Sequence, residues 1–422
     1  MSRKERERLV MFNQIKSKQI DRRTAAEALG LSLRQAHRLY LRWCEEGDRG
    51  LMHRSRGRQS SRRWDPAEVE RVLSLVRERY RGFGPTLLSE KLSELHGVWA
   101  SHDTVRRWLL AAGLLEKTRR GRRSRRRRER KSRFGEMVQM DGSPHAWLED
   151  RCDPFVLMTV IDDATGRRRG RFFPGETMEA AMRTFGMWCE RFGVPQNLYV
   201  DRHGIYRADR DPTAEELLSG VRPVTQFGRA MKEMDIRLIL ARSPQAKGRV
   251  ERSNGVLQDR LVKELRLAGV RTIDEANRWL EQSGFWEKLD ERFAVEAIDD
   301  ADAHRPLVLR LEDVLCVKQK RSVGLDGCVQ WSGRVLQLEP SRGLKGVEVW
   351  ERLDGSVELL GDGRRLKYQE ISLSTWRLNQ AATRKAKRKP IRNNKVHKPT
   401  RRQQIVLRPR GNRPEPALRE VG

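Results

Sequence analysis

The sequence has little of what marks a secreted or membrane protein. Only five cysteines occur among 422 residues, widely spaced and without a CxxC pair, so neither a disulfide framework nor a zinc site is predicted. There is no run of 18 apolar residues and no signal peptide. These absences predict a soluble intracellular protein without a membrane partner, cytoplasmic or, in a bacterium, associated with the nucleoid.

Acidic residues are nearly missing from two stretches that are dense in lysine and arginine. Residues 117–131 hold 11 basic residues and one acid, and residues 384–413 hold 13 basic residues and no acid. These stretches carry most of the net charge of +30, and such an excess predicts binding to a polyanion, above all double-stranded DNA. An anionic membrane surface is a weaker alternative, because neither stretch has an amphipathic helix or a lipidation motif beside it.

The first 116 residues have the helical patterns of DNA-binding modules. In residues 1–52, Ser32 is placed to cap a helix after a turn at Gly30, which predicts a helix-turn-helix. Residues 64–116 begin with a helix-capping sequence at Asp65, have a further cap at Ser101, and predict a second trihelical module. The alternative is a small structural helical hairpin for the first module and a plain helical bundle for the second. The side chains expected to contact DNA are Arg34, Gln35, Arg38 and Arg42 in the first module, and Arg106 and Arg107 in the second.

Residues 134–300 change to alternating strands and helices. Apolar runs predict strands that end at Asp141 and Asp201, with residues 155–162 as a buried central strand. Residues 178–192 are predicted to form a helix. The predicted order β-β-β-α-β-α-β-α is that of an RNase H-like α/β domain, with a mixed sheet and helices outside it. In such a sheet Asp141 and Asp201 lie on neighbouring strands.

The remaining segments complete a multidomain organisation. Residues 117–133 predict a flexible basic linker between the second helical module and the α/β domain. Residues 305–375 predict a small β-barrel, because Asp-Gly turns separate short strands. Residues 378–422 predict a basic, disordered tail.

A helix in residues 243–261, SPQAKGRVERSNGVLQDRL, carries a third acid of interest. Glu251 shares one helical face with Lys247, Asn254 and Gln258. One helical glutamate and two strand-end aspartates form a donor set that suits hard divalent cations such as Mg²⁺. Three acids among 58 can also lie by chance on a solvated surface. An adjacent apolar stripe, expected to pack on a core, consists of Val250, Leu257, Leu261 and Leu265.

The segments VQMDGSPHAW, NLYVDRHGIY and SPQAKGRVERSNGVLQDRL resemble those of ISNCY-group insertion-sequence transposases, within the retroviral-integrase superfamily. The resemblance implies a DDE triad, which falls on Asp141, Asp201 and Glu251 and would hold Mg²⁺, with two ions in the site and Mn²⁺ as a substitute. It also implies binding of element ends and target DNA, cleavage and strand transfer. At least a dimer is expected, because two element ends must be joined.

Several alternatives accompany this interpretation. Asp162 or Asp163, which also follow a strand, and Asp209 or Asp211 are rival metal ligands. The last two lie in a polar stretch, residues 205–222, that is predicted to be a loop and lengthens the interval between Asp201 and Glu251 to 50 residues. A non-catalytic DNA-binding protein and a ribonuclease for RNA–DNA hybrids are the alternative functions. Further DNA contacts are expected from Lys247, Arg252 and Asn254.

Overall fold

The computed structural model of the chain describes residues 1–54, 56–57, 63–116, 129–218, 220, 223–241, 248–339 and 343–379. The predictions for most of the basic linker, for Lys247 and for the tail from residue 380 lie outside the described residues. The chain divides into two compact units, Met1–Arg126 with Asp259–Ala268, and Arg127–Gln258 with Gly269–Gly422. No helix in the described part of the chain is long and apolar enough to cross a membrane.

The first unit begins with the predicted helix-turn-helix. Its helices are α1 (Arg3–Lys16), α2 (Arg22–Ala28) and α3 (Leu33–Glu46). The Ser32 hydroxyl accepts from the Gln35 amide at 3.3 Å, and the Gln35 side chain accepts from the Ser32 amide at 3.3 Å. This reciprocal capping box starts α3 at the predicted residue.

The second helical module follows in the same unit. Its helices are α4 (Pro66–Glu78), α5 (Pro85–His96) and α6 (His102–Ala111). Asp65 accepts from the Ala67 amide at 3.0 Å and Ser101 from the Thr104 amide at 3.3 Å, so α4 and α6 begin where their caps predict. Tyr80, Leu88 and Leu92 are completely buried at the centre of the module.

The second unit contains the central α/β domain. Its strands are β1 (Val138–His145), β2 (Phe155–Asp162), β3 (Arg168–Phe173), β4 (Asn197–Val200) and β5 (Arg237–Leu240), and they form one sheet in the order β3-β2-β1-β4-β5. The β1–β2 and β2–β3 pairs are antiparallel, whereas β1–β4 and β4–β5 are parallel, which confirms the predicted mixed sheet. The helices are α7 (Met178–Phe192), α8 (Ala214–Leu218), α9 (Gln226–Glu233), α10 (Gly248–Leu267), α11 (Ile273–Gln282) and α12 (Phe285–Phe293). Of α10, the residues up to Gln258 belong to this unit and those from Asp259 onward to the first unit.

Two predictions for this domain are wrong. The first strand does not end at Asp141, because β1 continues through Gly142 and Pro144 to His145, paired with β2 throughout. The polar stretch at residues 205–222 is not all loop, since it contains the short helix α8. In β1 the turn-like residues are kept extended by pairing with β2, whereas α8 has the sequence AEELL, whose residues favour a helix locally.

The last described part of the second unit begins with the short helix α13 (Leu311–Val314) and continues with six strands: β6 (Val317–Ser322), β7 (Cys328–Trp331), β8 (Arg334–Glu339), β9 (Gly346–Glu351), β10 (Val357–Gly361) and β11 (Arg364–Ile371). The strands form one antiparallel sheet in the order β6-β9-β10-β11-β8-β7. Its inner side chains, among them Val329, Leu336, Val349 and Leu359, are completely buried. The predicted barrel is therefore confirmed in part, as one antiparallel sheet around one core.

Candidate active site

Two aspartates lie at the ends of segments that belong to the adjacent parallel strands β1 and β4. The register pairs Gln139 of β1 with Tyr199 of β4. Each aspartate follows two residues later, Asp141 within β1 and Asp201 just after β4 ends. Adjacent strands are about 4.8 Å apart. Both aspartates are half-buried. The two strands are neighbours as predicted, and the role of the two acids stays a prediction.

The polar face of α10 packs on β1 beside these aspartates. The Asn254 amide group donates to Asp141 Oδ2 at 3.2 Å, and its oxygen accepts from the Thr159 hydroxyl at 3.3 Å. One turn further, Gln258 donates to Ser143 Oγ at 3.0 Å. Asn254 is only 7% exposed, so its side chain is turned toward the strand, whereas it was predicted to contact DNA.

Glu251 lies in the first turn of α10, three residues before Asn254, and is exposed. The predicted apolar stripe of this helix, Val250, Leu257, Leu261 and Leu265, is completely buried. Within the described residues, no three His, Cys, Asp or Glu side chains are grouped closely enough to hold a metal ion. Glu251 is thus one helical turn from the Asn254 that bonds to Asp141, and the described acids form no ready-made cluster of three carboxylates.

Two further side chains at this site were missed in the sequence. A Cβ atom added to Gly142 would lie 2.6 Å from Glu176 Oε2, so the Glu176 carboxylate fills the space beside the residue that follows Asp141. Tyr206 is 4% exposed, and its hydroxyl has no hydrogen-bond partner in the described structure. Burial, followed by the negative charges of Glu176, Asp201 and Asp141, raises the pKa of Tyr206 well above its usual value.

Sequence patterns concealed these two residues for different reasons. Glu176 directly precedes Thr177, whose side chain accepts from the Ala180 amide at 3.1 Å and caps α7, so the segment resembles an ordinary helix start. Tyr206 stands in the polar stretch interpreted as a loop. A lone aromatic residue in that stretch is the one signal that marked it.

The rival ligands have other surroundings. Asp162 is completely buried and accepts from the Gly135 amide at 3.0 Å and from the Thr165 amide and hydroxyl, both at 2.7 Å. Burial raises its pKa, and the Thr165 and Gly135 donors act in the opposite direction. Asp163 is completely buried as well. Asp209 is exposed and pairs with Arg207 at 3.0 Å.

Some of the predicted DNA contacts of the helical modules are exposed, and others form hydrogen bonds within the protein. Arg34, Arg38 and Arg106 are exposed. Gln35 is exposed but holds the capping box described above. Arg42 donates to the carbonyl oxygens of Gly50 and, at 3.2 Å, Met52, which ties down the turn after α3. Arg107, also exposed, donates to Thr104 Oγ1 at 3.1 Å. Arg252, a predicted DNA contact outside these modules, is exposed next to Glu251 on α10.

Comparison with known proteins agrees with this architecture. Residues 35–109, from α3 to α6, match the model of a homeodomain-like domain. This match covers most of the capped helix α3 and most of the second helical module.

Two transposases align with the chain. It is 37% identical over 378 residues to the transposase homologue y4bF of Sinorhizobium fredii (strain NBRC 101917 / NGR234), covering 87% of this chain and 81% of that one. It is 29% identical over 297 residues to the transposase for insertion sequence IS1202 of Streptococcus pneumoniae, covering 61% and 62%. The chain belongs to the transposase family.

Solved structures also align, though loosely. The integrase of a simian T-cell lymphotropic virus intasome, in complex with the PP2A regulatory subunit B56 gamma, aligns at 14% identity over 70% of this chain and 98% of that one, with a TM-score of 0.30. An HTLV-2 integrase catalytic core domain, in complex with magnesium, aligns at 16% identity over 35% and 84%, with a TM-score of 0.25. The fold assignment rests on the strand order and register described above.

Proposed function

We propose that the chain is a DDE transposase of the ISNCY group that binds the ends of an insertion sequence and joins them to target DNA. Its triad is Asp141, Asp201 and Glu251. One arrangement supports the proposal above all others: Asp141 lies in β1, Asp201 directly follows the adjacent strand β4, and the helix that carries Glu251 is bonded to Asp141 through Asn254.

The residues present fit a hydrated divalent cation. Carboxylate oxygens are the ligands that Mg²⁺ prefers, and Mg²⁺ keeps several waters, so it does not require three carboxylates in direct contact. The missing side chain at Gly142 leaves room for the Glu176 carboxylate, and the unpartnered hydroxyl of Tyr206 is buried among the same acids. When bound, two Mg²⁺ ions, or Mn²⁺ in their place, would activate the attacking oxygen and stabilise the charge on the departing one.

The protein's own residues would orient and bind. Asn254 holds the Asp141 carboxylate, and Glu251 lies three residues before Asn254 on the same helical face. In the first step water attacks a phosphodiester at the element end and releases a 3′-hydroxyl. In the second, that 3′-oxygen attacks a target phosphodiester, forms the new P–O bond and releases the 3′-oxygen of the target strand.

DNA would be held by basic residues, with a strong dependence on salt. Each Lys or Arg that binds a phosphate releases condensed counterions, so affinity falls steeply as the salt concentration rises. The exposed arginines Arg34, Arg38, Arg106 and Arg252 are the expected contacts, together with Lys247 and the basic segments outside the described residues. Two ends must be brought together, so the working form is at least a dimer.

A joining assay tests the proposal. The full chain is incubated with duplexes that carry the candidate terminal repeats, with Mg²⁺ or with EDTA. Asp141→Asn, Asp201→Asn and Glu251→Gln should each lower the rate by about a thousandfold or more, because each removes a charge that holds the metal. Asp209→Asn and Asp211→Asn, at the rival ligand positions, should stay near the wild-type rate. Joining in EDTA, or full activity of a triad variant, would contradict the proposal.

One observation favours a second function, a non-catalytic DNA-binding protein derived from a transposase. Glu251 is exposed, and the described acids form no ready-made metal cluster. This alternative predicts tight binding to the terminal repeats that neither metal nor the triad substitutions change. It also predicts no joined product under any metal condition.

A further inference from the structure

The carboxylate of Asp163 connects the two elements that carry Asp141 and Glu251. Its Oδ1 accepts from the Gln139 side chain at 2.6 Å and also from the Arg249 guanidinium. Gln139 lies two residues before Asp141 on β1, and Arg249 lies two residues before Glu251 on α10. One oxygen atom of a completely buried side chain is thus bonded to both elements.

These bonds are not needed to form the turn in which Asp163 stands. The turn after β2 is closed by Asp162, which accepts from the amide and the hydroxyl of Thr165. The Asp163 oxygens instead bond to three other segments, because Oδ2 accepts from the Lys131 amide at 2.9 Å. The sequence offered Asp163 as a rival ligand, whereas both of its oxygens are already bonded to protein donors.

Positive side chains surround this carboxylate. Arg130 donates to the Ala164 carbonyl at 2.9 Å, and its pKa is lowered by burial and next by the charge of Arg249. The charge of Asp163 offsets this repulsion, because it attracts both guanidinium groups. Without that charge, Arg249 would be expected to leave its place beside Arg130.

The bond to Arg249 completes an attachment of α10 on both sides of Glu251. After Glu251, the helix is bonded to β1 through Asn254 and Gln258. Before Glu251, it is bonded through Arg249 to Asp163, and through Asp163 to Gln139 of β1. The turn of helix that carries Glu251 is therefore held at both ends against the strand that carries Asp141.

We propose that Asp163 is a positioning residue of the active site, which sets the placement of Glu251 relative to Asp141 by holding Arg249 and Gln139 together. This inference rests on the proposed function. Because reacting groups must be placed within a fraction of an ångström, losing this tie should reduce the chemical step by about a hundredfold.

The test compares Arg249→Met with Arg249→Lys in the full chain, well below its melting temperature. Arg249→Met should lower the joining rate at saturating DNA about a hundredfold and change the KM for terminal DNA by less than about twofold. It should also weaken Mn²⁺ binding without DNA, followed by electron paramagnetic resonance. Arg249→Lys should recover much of both. Arg278→Met, which removes an exposed arginine from α11, is the charge-matched control and should change neither.

A double-mutant cycle adds a second line of evidence. Asp163→Asn keeps the shape and one acceptor oxygen but removes the charge. Combined with Arg249→Met, it should lower the joining rate little further, because both substitutions break the same tie. Effects on the rate that simply add would mean that the two residues act separately, and would overturn the proposal.

Glu251→Gln separates this inference from the proposed function. If Glu251→Gln joins DNA like the wild type, the triad itself is wrong. If Glu251→Gln is inactive, while Arg249→Met joins at the wild-type rate and binds Mn²⁺ normally, the triad stands and the positioning role of Asp163 is overturned. The Arg249 variants keep this test available even if Asp163→Asn does not fold.

Discussion

Two pairs of aspartates occupy comparable places in the central sheet and have opposite surroundings. Asp141 and Asp201 are half-buried on β1 and just after β4, near the exposed Glu251. Asp162 and Asp163, at and just after the end of β2, are completely buried. All four follow an apolar strand segment, so the local sequence pattern does not distinguish the two pairs.

Burial distinguishes the two pairs. Asp162 accepts from two backbone amides and a hydroxyl, and Asp163 accepts from an amide, a glutamine and an arginine. Asp201 accepts from the His203 amide at 2.9 Å and stays half-exposed. A strand-end carboxylate that is buried among donors anchors the fold, whereas one that remains partly exposed is available to bind a cation.

The largest effect on stability is expected when an anchoring aspartate is removed. Asp162→Ala leaves the buried amides of Gly135 and Thr165 without their acceptor, and should lower the free energy of unfolding by about 3 kcal/mol. Urea unfolding, followed through the fluorescence of the buried Trp147 and Trp188, measures the loss.

Asp201→Ala is the matched substitution in the half-buried pair, Asp141 and Asp201, which we call the open pair. It should cost less than about 1 kcal/mol, since a half-exposed side chain at the end of a strand leaves its neighbours in contact with water. Equal losses for Asp162→Ala and Asp201→Ala would remove the distinction between the two pairs.

Much of the fold can be predicted because its elements carry strong local signals. β2 begins and ends at the residues that bound the apolar run 155–162, and α7 has the same boundaries as the helix predicted at residues 178–192. Ser32 and Ser101 mark the starts of α3 and α6. β1 is the exception: its second half has turn-like residues, and only its pairing with β2 keeps it extended.

The sequence indicated only those candidate site residues whose own type and spacing mark them. The spacing of acids on strands and on one helix indicated Asp141, Asp201 and Glu251 as candidates. Glu176 and Tyr206 lie beside them only because α7 and the chain after β4 meet at β1, which no local pattern encodes. Asn254 illustrates a further limit, because a polar residue on a polar helical face turned out to bond to Asp141.

Two strand glycines extend the comparison to the backbone. A Cβ on Gly170 would lie 2.7 Å from the Met158 carbonyl oxygen and 3.0 Å from Thr159 Cγ2, so Gly170→Ala should cost about 2 kcal/mol by overpacking. A Cβ on Gly142 would meet the end of the Glu176 side chain, which can rotate away, so Gly142→Ala should cost under about 1 kcal/mol. Urea midpoints of the two variants give the comparison. A larger cost at Gly142 would mean that Glu176 is held as rigidly as the interior.

Metal binding should stabilise the chain through the open pair alone. At about ten times its Kd, Mg²⁺ should raise the free energy of unfolding by about 1.4 kcal/mol, because it binds the folded state. Asp201→Asn should lose this increment, and Asp162→Asn should retain it even if its starting stability is lower. Thermal unfolding with Mg²⁺ and with EDTA measures both increments. Loss of the increment in Asp162→Asn, with retention in Asp201→Asn, would reverse the assignment.

The smallest expected effect concerns the rate at which the thiols are alkylated. Burial should protect a thiol from reaction, just as it should keep Asp162 from binding a metal ion. All five cysteines lie within the described residues and are free thiols, with Cys44 exposed and Cys328 buried. Burial raises the pKa of Cys328 to about 11, so about one thiol in a thousand is ionised at pH 8. Iodoacetamide should therefore modify Cys44 long before Cys328, as read by mass spectrometry of the digested protein, with no change in stability. Equal rates at the two sites would mean that the antiparallel sheet opens readily around Cys328, and that burial in this structure is a weaker guide to chemical availability than the two aspartate pairs indicate.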